Sequence, residues 1–287
     1  MSDLTDAVVV VTGGATGVGL ALAREAVNRG AKVMLADIDD AKAAVDELRE
    51  AGGDVDSTVA DVSNVEDVRR LAKETVDRFG EVNVVCNNAA FAVLGSLQEI
   101  DPEAASRSVR VNVEGGVNIV HVFAPLLRDA AAAGRPAYLL NTGSEHSLGV
   151  PPHVAPFSVY TITKFATLGL TLTAHRDLEP WGIGVSMLAP GWTLTENVRA
   201  FVEADPEAAQ AIVPFAQESS VVASKAFDGL LAGTRVIATN PFSRAFAMEH
   251  ARALMVDVQE LPVVEAPGER AHDGTGDAES CPFLGGR

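Results

Sequence analysis

Strand-like and helix-like stretches alternate through the first 190 residues, and a cluster of small residues marks the first handover between them. Residues 7–11 are a valine-rich run of strand length. The run breaks at Gly13-Gly14 and resumes as a helix pattern over about 18–28, closed by Gly30. Further strands are expected over 32–37, 54–60, 82–86, 138–142 and 184–189. Helices are expected over 39–49, 65–79, 102–130 and 158–178. Ser63 or Asn64 caps the second of these and Gly80 stops it, while the third is expected to break near Gly115-Gly116. Repeated βα units with apolar strands predict an α/β fold, a doubly wound parallel sheet with helices on both faces.

Beyond Pro190 the rhythm weakens. Residues 191–220 read as small helices forming a substrate lid, followed by a helix over 221–231, a short strand over 235–238 and a helix over 245–256. Residues 1–261 are therefore expected to form one domain, and the glycine- and proline-bearing stretch 262–287 a carboxyl-terminal tail.

Composition narrows the functions available. Apolar residues make up 47% of the 287, so a core is available, and the formal charge of −17 repels nucleic acid and anionic lipid surfaces. The two cysteines, Cys86 and Cys281, stand too far apart in sequence for a clustered metal site, and two reduced thiols are expected. The amino end has no basic region, and its apolar run is too short for a signal peptide or a membrane span. A cytoplasmic protein without metal is the expectation.

The stretch from Thr12 to Gly19 sits where the first strand hands over to the first helix. Small residues there permit a tight turn and close approach of a cofactor, while the helix amino end offers donors and partial positive charge to a pyrophosphate. Taken alone, this is also an ordinary βα turn. Asp37, 18 residues past Gly19, ends the second strand, where an acid can accept hydrogen bonds from both hydroxyls of an adenosine ribose. A carboxylate there repels the extra phosphate of NADP, and neither residues 14–16 nor Ile38 supply a compensating base, so NAD is the expected cofactor. Asp61, just past the third strand, either receives an adenine amino group or caps the following helix.

Tyr160 and Lys164 are four apart on one expected helix and share a face. A neighbouring ammonium favours a phenolate, bringing a group that titrates near pH 10 towards use as a general base. The plain alternative is a packing tyrosine with a snorkelling lysine. Ser144 follows the fifth strand at the sheet edge where ligands gather, and its hydroxyl can hold a reacting oxygen or cap a turn. Asn112, inside a helix, needs a specific partner such as water or a backbone carbonyl.

Jointly these residues resemble the classical short-chain dehydrogenase/reductase family, over about residues 4–195. Thr12, Gly13, Gly17 and Gly19 match its Thr-Gly-x-x-x-Gly-x-Gly motif, and Tyr160 and Lys164 its Tyr-x-x-x-Lys motif. Asn87-Asn88-Ala89-Ala90 resembles its Asn-Asn-Ala-Gly, and Pro190-Gly191 its dipeptide after strand six. The resemblance implies a Rossmann-type domain, Tyr160 as acid/base, and Lys164 as holder of the nicotinamide ribose and depressor of the tyrosine pKa. It also implies Ser144 on the substrate oxygen, Asn112 organising a water, and Thr195 at the carboxamide. Thr16, Val18, Ile38, Val62, Asn88, Ala89, Ala90 and Thr193 complete the implied cofactor contacts. Ala90 departs from the family glycine, adding a methyl near the cofactor. Ser144 and Tyr160 lie 16 apart, a little longer than the family spacing, so the intervening loop must bulge towards the substrate.

Candidate substrate contacts are Phe91, Ser144, His146, His153, Phe157 and Trp192, an apolar set with two histidines. No arginine lies in 91–97 or 145–157, which disfavours carboxylate or phosphate substrates, with Arg199 the possible exception. The expected activity is NAD-dependent interconversion of an apolar cyclic or aryl-bearing secondary alcohol and its ketone. The rivals are an NADPH-dependent biosynthetic ketoreductase and a cofactor-binding protein without turnover. By resemblance, helices 102–130 and 158–178 pair copies into a homodimer or homotetramer.

Overall fold

The computed structural model describes residues 4–152 and 154–261. The chain divides into two units, the first ending at Ala251 and the second beginning at Arg252.

In the first unit the strands are β1 (Val8–Thr12), β2 (Lys32–Asp37), β3 (Val55–Val59), β4 (Val84–Asn87), β5 (Tyr138–Thr142) and β6 (Gly184–Ala189). With β9 (Val236–Ala238) they form one seven-stranded sheet in the order β3-β2-β1-β4-β5-β6-β9. Each pairing in it is parallel. The order reverses between β1 and β4, the place where a crevice opens at the carboxyl ends of the strands.

Alternation along the strands builds two cores. Val9 and Val11 of β1, Leu35 of β2 and Cys86 of β4 face one core, while Val10, Met34 and Val85 face the other. The first core is covered by α1 (Gly17–Asn28), α2 (Lys42–Glu50) and α9 (Ser219–Leu231). The second is covered by α3 (Val65–Phe79), α5 (Gly115–Ala132) and α6 (Ser158–Leu178). Each fully buried Val or Leu contributes roughly 2 kcal/mol. Burial on both faces is why the strands read as unbroken apolar runs.

Three expectations change. The second helix begins at Lys42, because the Asp40 carboxylate accepts from the Lys42 N–H at 2.8 Å and holds the preceding residues in a turn. The long helix over 102–130 is α4 (Pro102–Val109), a π-helical turn (Arg110–Glu114) and α5. Its irregularity centres on Asn112 and not on Gly115-Gly116. Those glycines serve contact instead: a Cβ on Gly115 would sit 2.7 Å from Val62, and one on Gly116 2.9 Å from Leu170. The region after Pro190 contains α7 (Glu196–Ala204) and α8 (Pro206–Ile212), plus β7 (Thr193–Leu194) and β8 (Gln217–Glu218), a two-stranded parallel pair too short to leave a periodic signal. The helix α10 (Ser243–Gln259) follows β9. The expected tail 262–287, with Cys281, lies outside the described residues.

Candidate active site

The carboxyl ends of β1 to β6 open onto a cleft of about 440 Å³. Its floor is the loop between β1 and α1. Gly13 and Gly17 both have φ of +63°, and a Cβ on Gly19 would lie 1.9 Å from the Gly13 carbonyl oxygen. Only hydrogen fits at Gly19. The Asn88 side chain clamps this loop to the end of β4, its Nδ2 donating to the carbonyls of Thr12 (3.0 Å) and Gly13 (3.3 Å). Thr12, expected to touch the cofactor, is 0% exposed and lies beneath the cleft. Its Oγ1 accepts from the N–H groups of Asn88 and Ala89 at 2.9 and 3.1 Å, so it stitches β1 to β4.

Asp37, Ile38, Asp61 and Val62 line the cleft beyond the glycine loop. Asp37 Oδ2 accepts from the Ala15 N–H at 3.0 Å, which fixes the carboxylate beside the loop. Asp61 lines the cleft, and its Oδ1 accepts from the N–H and Oγ of Ser63 at 2.9 and 2.7 Å; the cap of α3 is Asn64, not Asp61. Ala89 and Ala90 form the facing wall. Among the described residues Asp6 is the one non-glycine with positive φ, so the Ala90 methyl costs no backbone strain. The glycine cradle, the helix amino end at Gly17 and the acid at the end of β2 fit an adenine dinucleotide.

Ser144, Tyr160 and Lys164 converge at the junction of this cleft with a second cavity of about 190 Å³. Ser144 and Tyr160 line both spaces, and their hydroxyls are hydrogen-bonded to each other. Lys164 is 3% exposed, and its Nζ donates to the Thr142 carbonyl at 2.7 Å. Burial brings its pKa down to about 8. The expected lowering of the tyrosine is reversed: desolvation pushes Tyr160 up to about 12, against the Ser144 hydrogen bond, and the Glu145 carboxylate adds to the rise. The physical reason is placement. The Lys164 nitrogen sits 5.4 Å from the centroid of the tyrosine ring and is engaged with Thr142.

Asn112 lies behind the cleft. Its Oδ1 accepts from the Phe91 N–H at 2.7 Å, and its Nδ2 donates to the Phe91 carbonyl (3.0 Å) and Thr163 Oγ1 (2.9 Å). The Phe91 carbonyl is a backbone partner of the kind expected for this amide. Asn112 joins the loop after β4 to α6, the helix that carries Tyr160 and Lys164.

His146, Phe157 and Trp192 line the smaller cavity with Ser144 and Tyr160, whereas Phe91 lines the larger cleft with the Arg107 guanidinium 4.4 Å over its ring. His153 lies outside the described residues. The His146 ring meets those of Tyr160 and Phe157 edge-on, and its Nδ1 is 2.8 Å from Thr161 Oγ1. Thr161 Oγ1 also lies within hydrogen-bond distance of the Phe157 carbonyl, at 2.9 Å. The loop before α6 is held by the Gly95 N–H donating to the Pro156 carbonyl at 2.8 Å and the Ser158 N–H donating to the Gly95 carbonyl at 3.1 Å.

Pro190, Gly191 and Thr193 line the cleft. Thr195 caps α7, accepting from the Val198 N–H at 3.3 Å, and packs beside Gly17. The next residue, Glu196, accepts from the Gly17 N–H at 3.3 Å and pairs with Arg24. Arg199 pairs with Glu218 and is not among the residues lining either cavity. Sequence reasoning missed Arg107, whose helix register gave no sign that it reaches the cleft, and Glu145, whose place directly after Ser144 was the available signal. No group of histidines, cysteines and acids able to hold a metal occurs among the described residues, and no described helix is long and apolar enough to cross a membrane.

Residues 7–206 match the family model described as short chain dehydrogenase. The 1-deoxy-11-beta-hydroxypentalenate dehydrogenase of Streptomyces exfoliatus is 37% identical over 198 residues, covering 66% of this chain and 68% of that one. The 2,5-dichloro-2,5-cyclohexadiene-1,4-diol dehydrogenase of Sphingobium indicum is 32% identical over 209 residues, covering 71% and 80%. Among solved structures, a short chain dehydrogenase/reductase from Burkholderia phymatum in complex with NAD is similar with a TM-score of 0.78 and 29% identity, covering 92% of this chain and 99% of that one.

Proposed function

The chain belongs to the short-chain dehydrogenase family and is an NAD(P)-linked oxidoreductase of small organic molecules. From that premise, we propose that it interconverts an apolar, ring-bearing secondary alcohol and its ketone with NAD, Tyr160 handling the proton. The observation that carries this reading is the placement of Tyr160 and Ser144 on the shared wall of the large cleft and the small cavity, which Phe157 and Trp192 also line.

The glycine loop, Asp37, Asn88–Ala90 and Pro190–Thr193 would hold the dinucleotide, with Asp37 taking the ribose hydroxyls and disfavouring a 2′-phosphate. When bound, the nicotinamide supplies the hydride donor or acceptor. Ser144 holds the substrate oxygen through its hydroxyl. Tyr160 gives its proton to an oxygen gaining charge or takes one from an alcohol. Lys164, anchored to the Thr142 carbonyl and lining the same cleft, would hold ribose hydroxyls of the bound dinucleotide. Asn112 is a positioning residue, holding the Phe91 backbone and α6 together.

A ring-sized substrate suits the cavity, since a dry space of about 150 Å³ already admits a benzene-sized guest. The two named relatives act, by name, on a hydroxypentalenate and a chlorinated cyclohexadiene diol, which supports a ring-bearing alcohol. We further propose a cytoplasmic enzyme that pairs through α4–α5 and α6, where Val109, Val117, Ile162 and Leu172 are exposed. Light scattering tests the pairing. The function is tested by assaying cyclic and aryl alcohols and ketones with NAD and NADP in parallel. NAD-linked turnover of these compounds is expected. A clear NADP preference would overturn the role given to Asp37, and activity confined to charged sugars or acyl-thioesters would overturn the substrate class.

A further inference from the structure

Arg107 belongs to α4 and lines the large cleft, where its guanidinium carbon lies 4.4 Å from the centroid of the Phe91 ring. Glu103 stands one turn earlier on the same helix, in the i, i+4 order that favours an acid–base pair. Among the described residues neither Glu103 nor any other acid pairs with Arg107. Partners are not scarce, since the chain has 39 acids to 22 lysines and arginines. Arg24, Arg29, Arg70, Arg78 and Arg199 are each paired with one. A guanidinium laid on an aromatic face instead is held by the ring and keeps its N–H donors for another partner.

The cleft is otherwise an acidic place. Asp37 and Asp61 line it, and Glu196 accepts from the Gly17 N–H at 3.3 Å. Among the described residues its lysine and arginine lining is Arg107 and Lys164, and Lys164 donates to the Thr142 carbonyl at 2.7 Å. A dinucleotide carries a pyrophosphate into these surroundings, and the formal charge of −17 adds to the repulsion. A guanidinium suits phosphate because its planar fork of N–H groups matches two phosphate oxygens. The platform under it is anchored: the Phe91 N–H donates to Asn112 Oδ1, and the Phe91 carbonyl accepts from Asn112 Nδ2 and from Ser108 Oγ. A fork already laid on that platform loses less freedom when it binds.

We propose that Arg107 is a cofactor-binding residue whose guanidinium, held against Phe91, pairs with a phosphate of the dinucleotide and offsets the acids around the cleft. Arg107 does not line the small cavity, so its part is in loading the cofactor and not in choosing the substrate. This deepens the dehydrogenase reading and rests on its use of an adenine dinucleotide.

The test titrates the full chain, without substrate, with NAD and NADP by calorimetry, and follows the tighter binder, expected to be NAD, through a charge series at position 107. Arg107→Lys keeps the charge, Arg107→Met keeps an apolar stem over Phe91 without it, and Arg107→Glu reverses it. The dissociation constant should stay within about threefold of wild type for the lysine variant, rise about tenfold for the methionine variant and rise further for the glutamate variant. Added salt should narrow the gap between wild type and Arg107→Met. Because the side chain is exposed, thermal unfolding midpoints without ligand should agree across the series. Equal affinity throughout, or a lysine variant as weak as the methionine one, would overturn the inference and leave the dehydrogenase reading in place. Failure of wild type to bind either dinucleotide would instead overturn that reading and the inference with it.

Discussion

The side-chain nitrogen of Lys164 lies 2.7 Å from the carbonyl oxygen of Thr142. The ammonium is thus anchored to the end of β5 while desolvation holds its pKa at about 8, below its ordinary value of 10.5. For a base depressed in the folded state, the native form binds fewer protons than the unfolded form between about pH 8 and 10.5. The burial cost of the charge is therefore fully present below pH 8 and is relieved as pH rises through that window. Lys164→Met should abolish turnover yet stabilise the fold at pH 7 by on the order of 2 kcal/mol, after allowance for the lost hydrogen bond. Urea unfolding of both proteins at pH 7 and pH 10 should show that gap shrinking at the higher pH; a gap that widens would contradict the buried charge.

Tyr160 shifts the opposite way, up to about 12, so the enzyme without ligands holds a phenol at neutral pH. Ketone reduction uses that proton directly, whereas alcohol oxidation needs it gone. The kcat/KM for oxidation should keep rising from pH 7 to pH 9, and the kcat/KM for reduction should not rise with it. An oxidation profile already flat at pH 7 would show that the phenol titrates far lower than its surroundings dictate.

The Glu196 carboxylate occupies the N–H of Gly17, the first residue of α1, where a pyrophosphate would find donors. Binding the dinucleotide must then displace this acid or accommodate a second negative charge beside it. Glu196→Gln should tighten NAD binding by about three- to tenfold, read by calorimetry, with the gain fading as salt screens the repulsion. Unchanged or weaker binding would mean that the acid does not compete for that N–H.

Much of this was legible from residue pattern alone, and the reasons can be traced. Lys32–Asp37, Tyr138–Thr142 and Gly184–Ala189 stand where apolar runs of strand length placed them, because strands buried on both faces leave an uninterrupted signal. Helix α3 likewise runs from its Asn64 cap to Gly80, a glycine at φ of +89°. Tyr160 and Lys164 came from helical spacing, and Gly19 from a turn that tolerates no side chain. What escaped was set by tertiary contacts. Asn112, at the centre of the π-helical turn, bonds to Phe91 across 21 residues, and no local propensity encodes that bond. Glu145 accepts from Ser243, 98 positions away. The tyrosine pKa was misjudged because spacing put lysine on the right face but did not say that its ammonium would point to Thr142.

The most direct measurement is Tyr160→Phe, which removes one oxygen from the junction of cleft and cavity and leaves the glycine loop and Asp37 untouched. NAD affinity by calorimetry should stay within about threefold of wild type while kcat falls by about a thousandfold, the scale of a lost acid/base group. A variant that binds NAD and still turns over ring alcohols at more than about a tenth of the wild-type rate would contradict the assignment of the proton to Tyr160.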